Sequence, residues 1–416
     1  MAEVGEQPDT APVHQLLDRF VDAGAMHPVH ERSPLTPAHV TVVIPAHGRL
    51  PQDLPAGVHV IVVDDASPTP LTFESAHDVP AGLRQTLLRH DTNQGPAAAR
   101  NTGLAEATTP LVAFVDTDVH LPDGWLEPLL AHFADERVAL AAPRVASAPG
   151  TTWLQAYEQR HSPLDLGPEP ARIAAGTRVS YVPAAAMVWR THVIRELGGF
   201  DETMRLGEDV DLVWRAAAAG HRCRYEPTSV VHHDARSSVR GLLRQRFGYG
   251  RSAAALSRRH PKALAPVRMS GWSALSWLLL AARHPLLAIG VAGGTTIALQ
   301  RKLTDIPPRE SARLAGLGHL AAGRQVAQAI TRVWWPIAFA ATLVSRRARL
   351  PIVAALVAPA LIDAVRTRST QPIADAPFVA MDQMAYGAGL WAGVLAEREV
   401  GPLWPELRNW PSRTGE

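Results

Sequence analysis

The chain has 416 residues, 47% of them hydrophobic, which is enough apolar material for more than one buried core. A formal net charge of +2 excludes the strongly basic surface of a nucleic-acid-binding protein. The single cysteine, Cys223, excludes an intramolecular disulfide framework and fits a reducing compartment, so the expected location is the cytoplasm.

The opening MAEVGEQPDT lacks the cationic and apolar segments of a secretory signal. Residues 1–38 are proline-rich and polar around one amphipathic stretch, 14–24, in which Leu16, Leu17, Phe20 and Val21 recur at helical spacing. Residues 39–250 alternate strand-like and helix-like runs, the pattern of an α/β fold. VTVVIPA at 40–46 and HVIVVDD at 59–65 read as buried strands, and LRQTLLRH at 83–90 as a shorter one. The 47–58 connector is short for a crossover helix, so an ideal doubly wound unit is not expected. NQGPAAARNTGLAEA at 93–107 opens on Gly95 and Pro96 and continues as a helix whose N-terminus could receive an anion. PLVAFVDTDV at 110–119 is the next strand. In the helix predicted over 123–135, Trp125, Leu126, Leu129, Leu130 and Phe133 share one face. VALAAPRV at 138–145 returns as a strand.

Four polar stations stand out against this background: Asp64-Asp65, Asp116-Thr117-Asp118, Glu208-Asp209 and His232-His233. The first two end apolar strands, and open parallel sheets bind ligands beyond the carboxyl ends of their strands. Asp64 and Asp65 could also be helix caps, and Asp116-Thr117-Asp118 could be a turn. The two carboxylates of a DxD on an extended backbone would point the same way and could reach a cation and a ribose hydroxyl. Mg²⁺ and Mn²⁺ favour such hard oxygen donors and keep phosphate oxygens as further ligands. Glu208, Asp209 and Asp211 open a helix that carries Leu212, Val213 and Trp214. They are either partners of its dipole or a general base held at its N-terminus. A histidine pair after a short strand is structural or metal-binding, and the residues alone leave both open.

The ordered set VVIPAHGR, VIVVDDAS, NQGPAAARNTG, FVDTDV, GEDVDLVWRAAAAGHR and HHDARS resembles a family 2 glycosyltransferase across roughly residues 39–250. The blocks FDETMRLGEDVDLVWR and RQRFGYGRSAAALSRRHP are most similar to the branch of that family serving the mycofactocin system. FVDAGAMHP resembles the end of that branch's leading peptide-binding module. The resemblance implies a GT-A fold, a Rossmann-like nucleotide-diphospho-sugar transferase domain, followed by a mainly helical C-terminal region. It also implies roles. Pro45 and Ala46 would lie under the nucleotide base, and Asp64, with Asp65, would meet the uracil. Arg100 would meet base or phosphates, Asp116 the ribose, and Glu208 the nucleotide-sugar. Asp118 with His233, or His232, would hold Mn²⁺ or Mg²⁺, and Asp209 would be the catalytic base. Arg244, Gln245, Arg246, Arg251, Arg258 and Arg259 sit like the QxxRW segment of related synthases, without its tryptophan.

The implied reaction is inverting transfer of a hexose, glucose from UDP-glucose, to a peptide-derived small-molecule acceptor extended as a short β-1,4-glucan. An acceptor groove is expected near Trp189 and Trp214, since sugar faces and aromatic rings pack on indoles. Two other readings stand beside this one: a cell-envelope polysaccharide or glycolipid glycosyltransferase, and a catalytically silent binding subunit.

Residues 251–416 are harder to read. Apolar runs at 269–282, 285–300, 333–345 and 350–365 are punctuated by arginines, and none reaches the length of a confident membrane span. Either they form a helical domain or they are short hairpins that contact the inner face of the cell membrane.

Overall fold

A computed structural model describes residues 11–29, 33–51, 55–73 and 84–408. The chain divides into two compact units, Met1–Ser238 and Val239–Glu416. The boundary expected at residue 250 therefore runs through a helix of the second unit. The N-terminal MAEVGEQPDT and Leu83 lie outside the described residues.

The first unit opens with α1 (Ala11–Asp22), the amphipathic stretch read from the sequence. Its apolar side is only partly used: Val21 is buried, but Leu16 and Phe20 are exposed. Charge anchors it instead. The Asp18 carboxylate accepts from both terminal nitrogens of Arg137 at 2.7 and 2.8 Å, and Asp22 accepts from Nε of the buried Arg222 at 2.6 Å.

Strands β1 (Val40–Ala46), β2 (His59–Asp64) and β3 (Arg84–Arg89) follow, each parallel to the one before. The described residues between β1 and β2 form no helix, as their number predicted. Next come α2 (Pro96–Glu106), β4 (Leu111–Val115), β5 (Val119–His120), α3 (Glu127–His132), β6 (Val138–Ser147) and α4 (Trp153–His161). Then β7 (Ala171–Arg172), β8 (Ala186–Arg190), α5 (Thr191–Glu196), α6 (Glu208–Ala218) and β9 (Arg222–His233) complete the unit.

Among the described residues nine strands join one sheet, in the order β3-β2-β1-β4-β8-β6-β9-β5, with β7 paired to β9. β1 lies between β2 and β4, both parallel to it, so the chain reverses direction across the sheet at this point. That is where α/β sheets open a crevice beyond their strand ends. β8 runs antiparallel between β4 and β6, so its first residues stand at the carboxyl end of β4. Residues 111–115 and 186–189 are buried throughout because both faces of the sheet are covered.

Of the two readings of the Asp-Thr-Asp segment, turn and extended, the structure has the turn. The segment lies between β4 and β5, closed by the Val119 N–H on the Asp116 carbonyl at 3.2 Å. Its two carboxylates consequently find different partners.

The second unit contains α7 (Val239–Arg259), β10 (Arg268–Ser270), α8 (Gly271–Ala281), α9 (Pro285–Lys302) and α10 (Pro308–Arg332). It continues with α11 (Trp335–Val344), α12 (Arg346–Thr367), α13 (Gln371–Glu397) and β11 (Glu406–Arg408), which pairs parallel with β10. α7 and α13 meet backbone to backbone. A Cβ on Gly250 would lie 1.9 Å from the Tyr386 carbonyl oxygen, and one on Gly389 would lie 1.9 Å from that of Phe247. Arg246 is buried in this seam and donates from Nε to Asp382 at 2.7 Å, so within the arginine-rich segment it serves packing. α10 packs against α8, α9, α11, α12 and α13. α12 is longer than the apolar run read from the sequence, and at 22 residues it is long and apolar enough to cross a membrane by length and composition.

Candidate active site

The sheet brings the acidic stations together through one arginine. Arg100 projects from α2, is buried, and donates from one terminal nitrogen to Asp116 Oδ1 at 2.7 Å. Its other terminal nitrogen donates to Glu208 Oε1 at 2.8 Å. Asp116 ends β4, while Glu208 opens α6 more than ninety positions later in the chain. The two carboxylates take both terminal nitrogens of the guanidinium, so Arg100 aligns protein groups. For Arg100 the resemblance implied contact with base or phosphates; the partners its two terminal nitrogens have here are the carboxylates of Asp116 and Glu208.

Asp209 is reached by a second bridge. The Asp116 N–H donates to the Ala185 carbonyl at 3.0 Å, and the next backbone N–H upstream, that of Ala184, donates to Asp209 Oδ2 at 3.1 Å. The residues leading into β8 thus hold the DxD turn on one side and the Asp209 carboxylate on the other. Gly207 makes this possible: it takes φ 85°, in the left-handed region, immediately before Glu208. The backbone turns sharply there, and both acids enter the first turn of α6. Asp209 Oδ1 also accepts from the Val210 N–H at 2.8 Å. Asp211 is buried and bonded to Arg215 Nε at 2.7 Å, so it serves the helix.

Three carboxylates around one guanidinium leave excess negative charge. Burial and the neighbouring Asp209 push Glu208 up to about 7, against the pull of Arg100. Burial also pushes Asp209 above the ordinary carboxylate range, opposed by its two backbone hydrogen bonds. A carboxylate with a raised proton affinity, its oxygens only partly used by backbone donors, is equipped to take a proton.

The fourth station meets the second across the β5–β9 pairing, where Val119 faces His233. His233 Nε2 lies 3.3 Å from Asp118 Oδ2, and Arg236 Nη1 is 4.0 Å from the same oxygen. His232 precedes it in the strand and so points to the other face, leaving His233 alone beside Asp118. Burial opposes ionisation of Asp118, but His233 and Arg236 hold it below the usual range. His233 in turn is raised by Asp118 despite its own burial. Among the described residues no three His, Cys, Asp or Glu side chains form a complete metal cage. The residues present fit a divalent cation all the same. One carboxylate and one imidazole offer two donors on an open side, where donor phosphate oxygens and water complete the shell.

The first station behaves as a lock. Asp64 is buried, accepts from the N–H groups of Ser67 at 2.8 Å and Leu71 at 3.2 Å, and pairs with Arg89. Asp65 is buried as well. It accepts from the Gln94 and Gly95 N–H groups at 2.8 and 2.7 Å and bonds His90 Nδ1 at 2.8 Å. The anion expected at the N-terminus of α2 is therefore Asp65 itself. Pro45 is half-buried at the end of β1, and the Ala46 carbonyl accepts from the Asp65 N–H at 2.8 Å. This fixes the loops after β1 and β2 to each other.

Trp189 and Trp214 floor no groove. Trp189 is 0% exposed in β8 with its indole N–H on Met187 sulfur. Trp214 is buried and donates to the Ser180 carbonyl at 2.7 Å. Reading β8 as a buried strand would have excluded Trp189. Sequence reasoning also missed the clasp that follows His233. Asp234 joins His120 at 2.9 Å and Arg49 at 3.4 Å, and the buried Glu158 accepts from the Arg236 N–H. The only signal was the charged run HHDAR at the end of β9.

A mixed sheet with a run of parallel strands, acidic turns, a helix-borne acid pair and a carboxylate–histidine pair describes a group-transfer enzyme of the α/β class. Residues 41–196 match the family described as Glycosyl transferase family 2. The chain is 43% identical over 417 residues to the pre-mycofactocin glycosyltransferase of Mycobacterium tuberculosis, covering 95% of this chain and 87% of that relative. The protein therefore belongs to glycosyltransferase family 2; it is a glycosyltransferase, and its catalytic unit has the GT-A fold. It is 32% identical over 184 residues to the succinoglycan biosynthesis protein ExoU of Rhizobium meliloti, across 41% of this chain and 54% of that one. Among solved structures it is similar to the mannosyltransferase of Pyrobaculum calidifontis in complex with GDP-Man and Mn²⁺. The identity is 17% and the TM-score 0.47, over 92% of this chain and 94% of that chain.

Proposed function

We propose that the protein is an inverting hexosyltransferase that takes glucose from UDP-glucose and builds a short β-1,4-glucan on the peptide-derived precursor of a redox cofactor. The observation that carries the catalytic half is the Arg100 bridge, which joins Asp116 to Glu208 and so sets Asp209 beside the DxD turn. The acceptor half is supported by the 43% identical relative, a pre-mycofactocin glycosyltransferase, along nearly the full chain.

In this reading the acceptor oxygen attacks the anomeric carbon of the donor from the side opposite the diphosphate. The carbon–oxygen bond to the diphosphate breaks, Asp209 takes the acceptor's proton, and an α-linked donor gives a β-glycoside. Asp209 is the single base, in contrast to the paired carboxylates of glycoside hydrolases. Arg100 is a positioning residue that keeps Asp116 directed at the ribose. Asp118 and His233 would hold Mg²⁺ or Mn²⁺, which when bound neutralises charge on the departing diphosphate. Arg236 lies close enough to Asp118 to add a second cation on the same side. Pro45 and Ala46 floor the base subsite, with Asp64 and Asp65 shaping its walls through the loops they lock. The reaction belongs in the cytoplasm, with contact to the inner face of the membrane through the second unit.

Incubation with UDP-glucose, Mn²⁺ and the peptide-derived aglycone should give a ladder of hexose additions by mass spectrometry. Formation of lipid-linked or long insoluble polymer instead would assign the protein to envelope polysaccharide or glycolipid synthesis.

A further inference from the structure

The second unit carries an exposed apolar face. α11 and α12 are apolar along most of their length, yet neither contributes a buried side chain. On α12, Leu350, Val353, Val357, Leu361 and Val365 recur at three- and four-residue intervals, so they lie along one stripe. All five are exposed, Val365 to 79%. On α11, Phe339, Leu343 and Val344 are exposed too, Val344 to 89%. A contiguous apolar surface of this kind marks an interaction site.

Charge indicates the partner. Arg346, Arg347 and Arg349 open α12, and Arg366 and Arg368 flank its end. Among the described residues none of these five arginines is in an ion pair. The one acid on α12, Asp363, is already held by Arg324 of α10 at 3.2 Å. The face is therefore apolar in the middle and cationic at both ends, with no free acid and no polar group that would set the register of a protein partner. An anionic lipid surface matches it: acyl chains take the stripe and headgroup phosphates take the arginines.

We propose that α11 and α12 dock this face into one leaflet of an anionic bilayer, lying in the interface. Lying in the interface is favoured over crossing because the other side of α12 packs on α10 and α13, and α10 carries Arg309, Glu310, Arg313 and Arg324. α11, with ten residues, is about 15 Å long, half of a hydrocarbon core of about 30 Å.

The full chain is sedimented with vesicles of phosphatidylglycerol and phosphatidylcholine, and separately with pure phosphatidylcholine. The anionic vesicles should carry down at least about ten times more protein, an excess that added salt reduces. Val353→Asp and Val357→Asp should each lower binding to anionic vesicles about tenfold while the circular dichroism and UDP affinity stay at wild-type values. Arg346→Gln with Arg347→Gln should remove the preference for anionic lipid. Three results would overturn the proposal. A monodisperse protein could ignore both vesicle types, binding could be indifferent to Val353→Asp, or a dimer in solution could be split by that substitution, which would assign the face to a second copy.

Discussion

Arg100 donates to Asp116 at 2.7 Å and to Glu208 at 2.8 Å, so one side chain of α2 joins the end of β4 to the start of α6. Arg100→Lys supplies a single point of charge where a two-pronged donor is required. One carboxylate is then left buried without its partner, a defect typically worth about 3–5 kcal/mol. Denaturant unfolding should show a loss in this range, and residual transfer should fall in kcat more than in KM for the donor. Unchanged stability and kinetics would mean that the bridge is incidental.

Asp209→Asn keeps the shape but only one of the two backbone hydrogen bonds, because its amide nitrogen cannot accept from an N–H, and it cannot take a proton at neutral pH. Transfer should fall by about two to four powers of ten, the usual range for general base catalysis. UDP binding, followed by calorimetry, should hardly change. A matching loss of nucleotide affinity would move Asp209 from the acceptor side to the donor side.

Asp118→Ala and His233→Ala should each weaken UDP binding in the presence of Mn²⁺ and leave the smaller binding seen in excess chelator unchanged. Neither residue belongs to the apolar core, so folding should be preserved and is checked by circular dichroism. Full activity of the wild-type protein in chelator would remove the cation from the reaction.

Glu208 has a folded pKa of about 7, above its ordinary 4.5, because burial and Asp209 oppose its ionisation. A raised pKa means that folding favours the protonated form. The resulting stabilisation is complete below the ordinary value and is lost as pH rises through about 7. The thermal midpoint should therefore drop across that window, and Glu208→Gln should flatten the drop. Transfer should move the opposite way, rising with pH as the raised Asp209 loses its proton. Asp209, raised as well, adds to the same loss of stability, so the turnover profile of the Glu208→Gln protein is the one that reports Asp209 alone.

Much of the site was legible because β-branched runs ending in acids announce strand ends. Asp64-Asp65, Asp116-Asp118 and Glu208-Asp209 all fall where the 40–46, 59–65 and 110–119 runs and the 207–222 helix led one to look. Partner choice was not legible. Asp65 reads as a free ligand until α2 arrives with the Gln94 and Gly95 N–H groups. Asp64 reads likewise until Arg89 closes over it. These pairings join positions that only the folded sheet brings together. β8 was hidden for another reason. Its approach, PAAAMVW, is alanine-rich and carries no alternation, because a strand covered on both faces has no polar side to show. Missing β8 put Trp189 at a surface it does not reach.

The seam of Gly250 and Gly389 has a consequence for how the second unit can vary. α7 and α13 lie near its two ends in sequence and meet backbone to backbone at Gly250 and Gly389, beside the Arg246–Asp382 pair, so the two helices act as a clip. Everything from α8 to α12 is an excursion that leaves the clip and returns to it. A change within that excursion must keep the contacts that α10 and α12 make with α13, whereas any side chain added at position 250 or 389 forces the clip itself open.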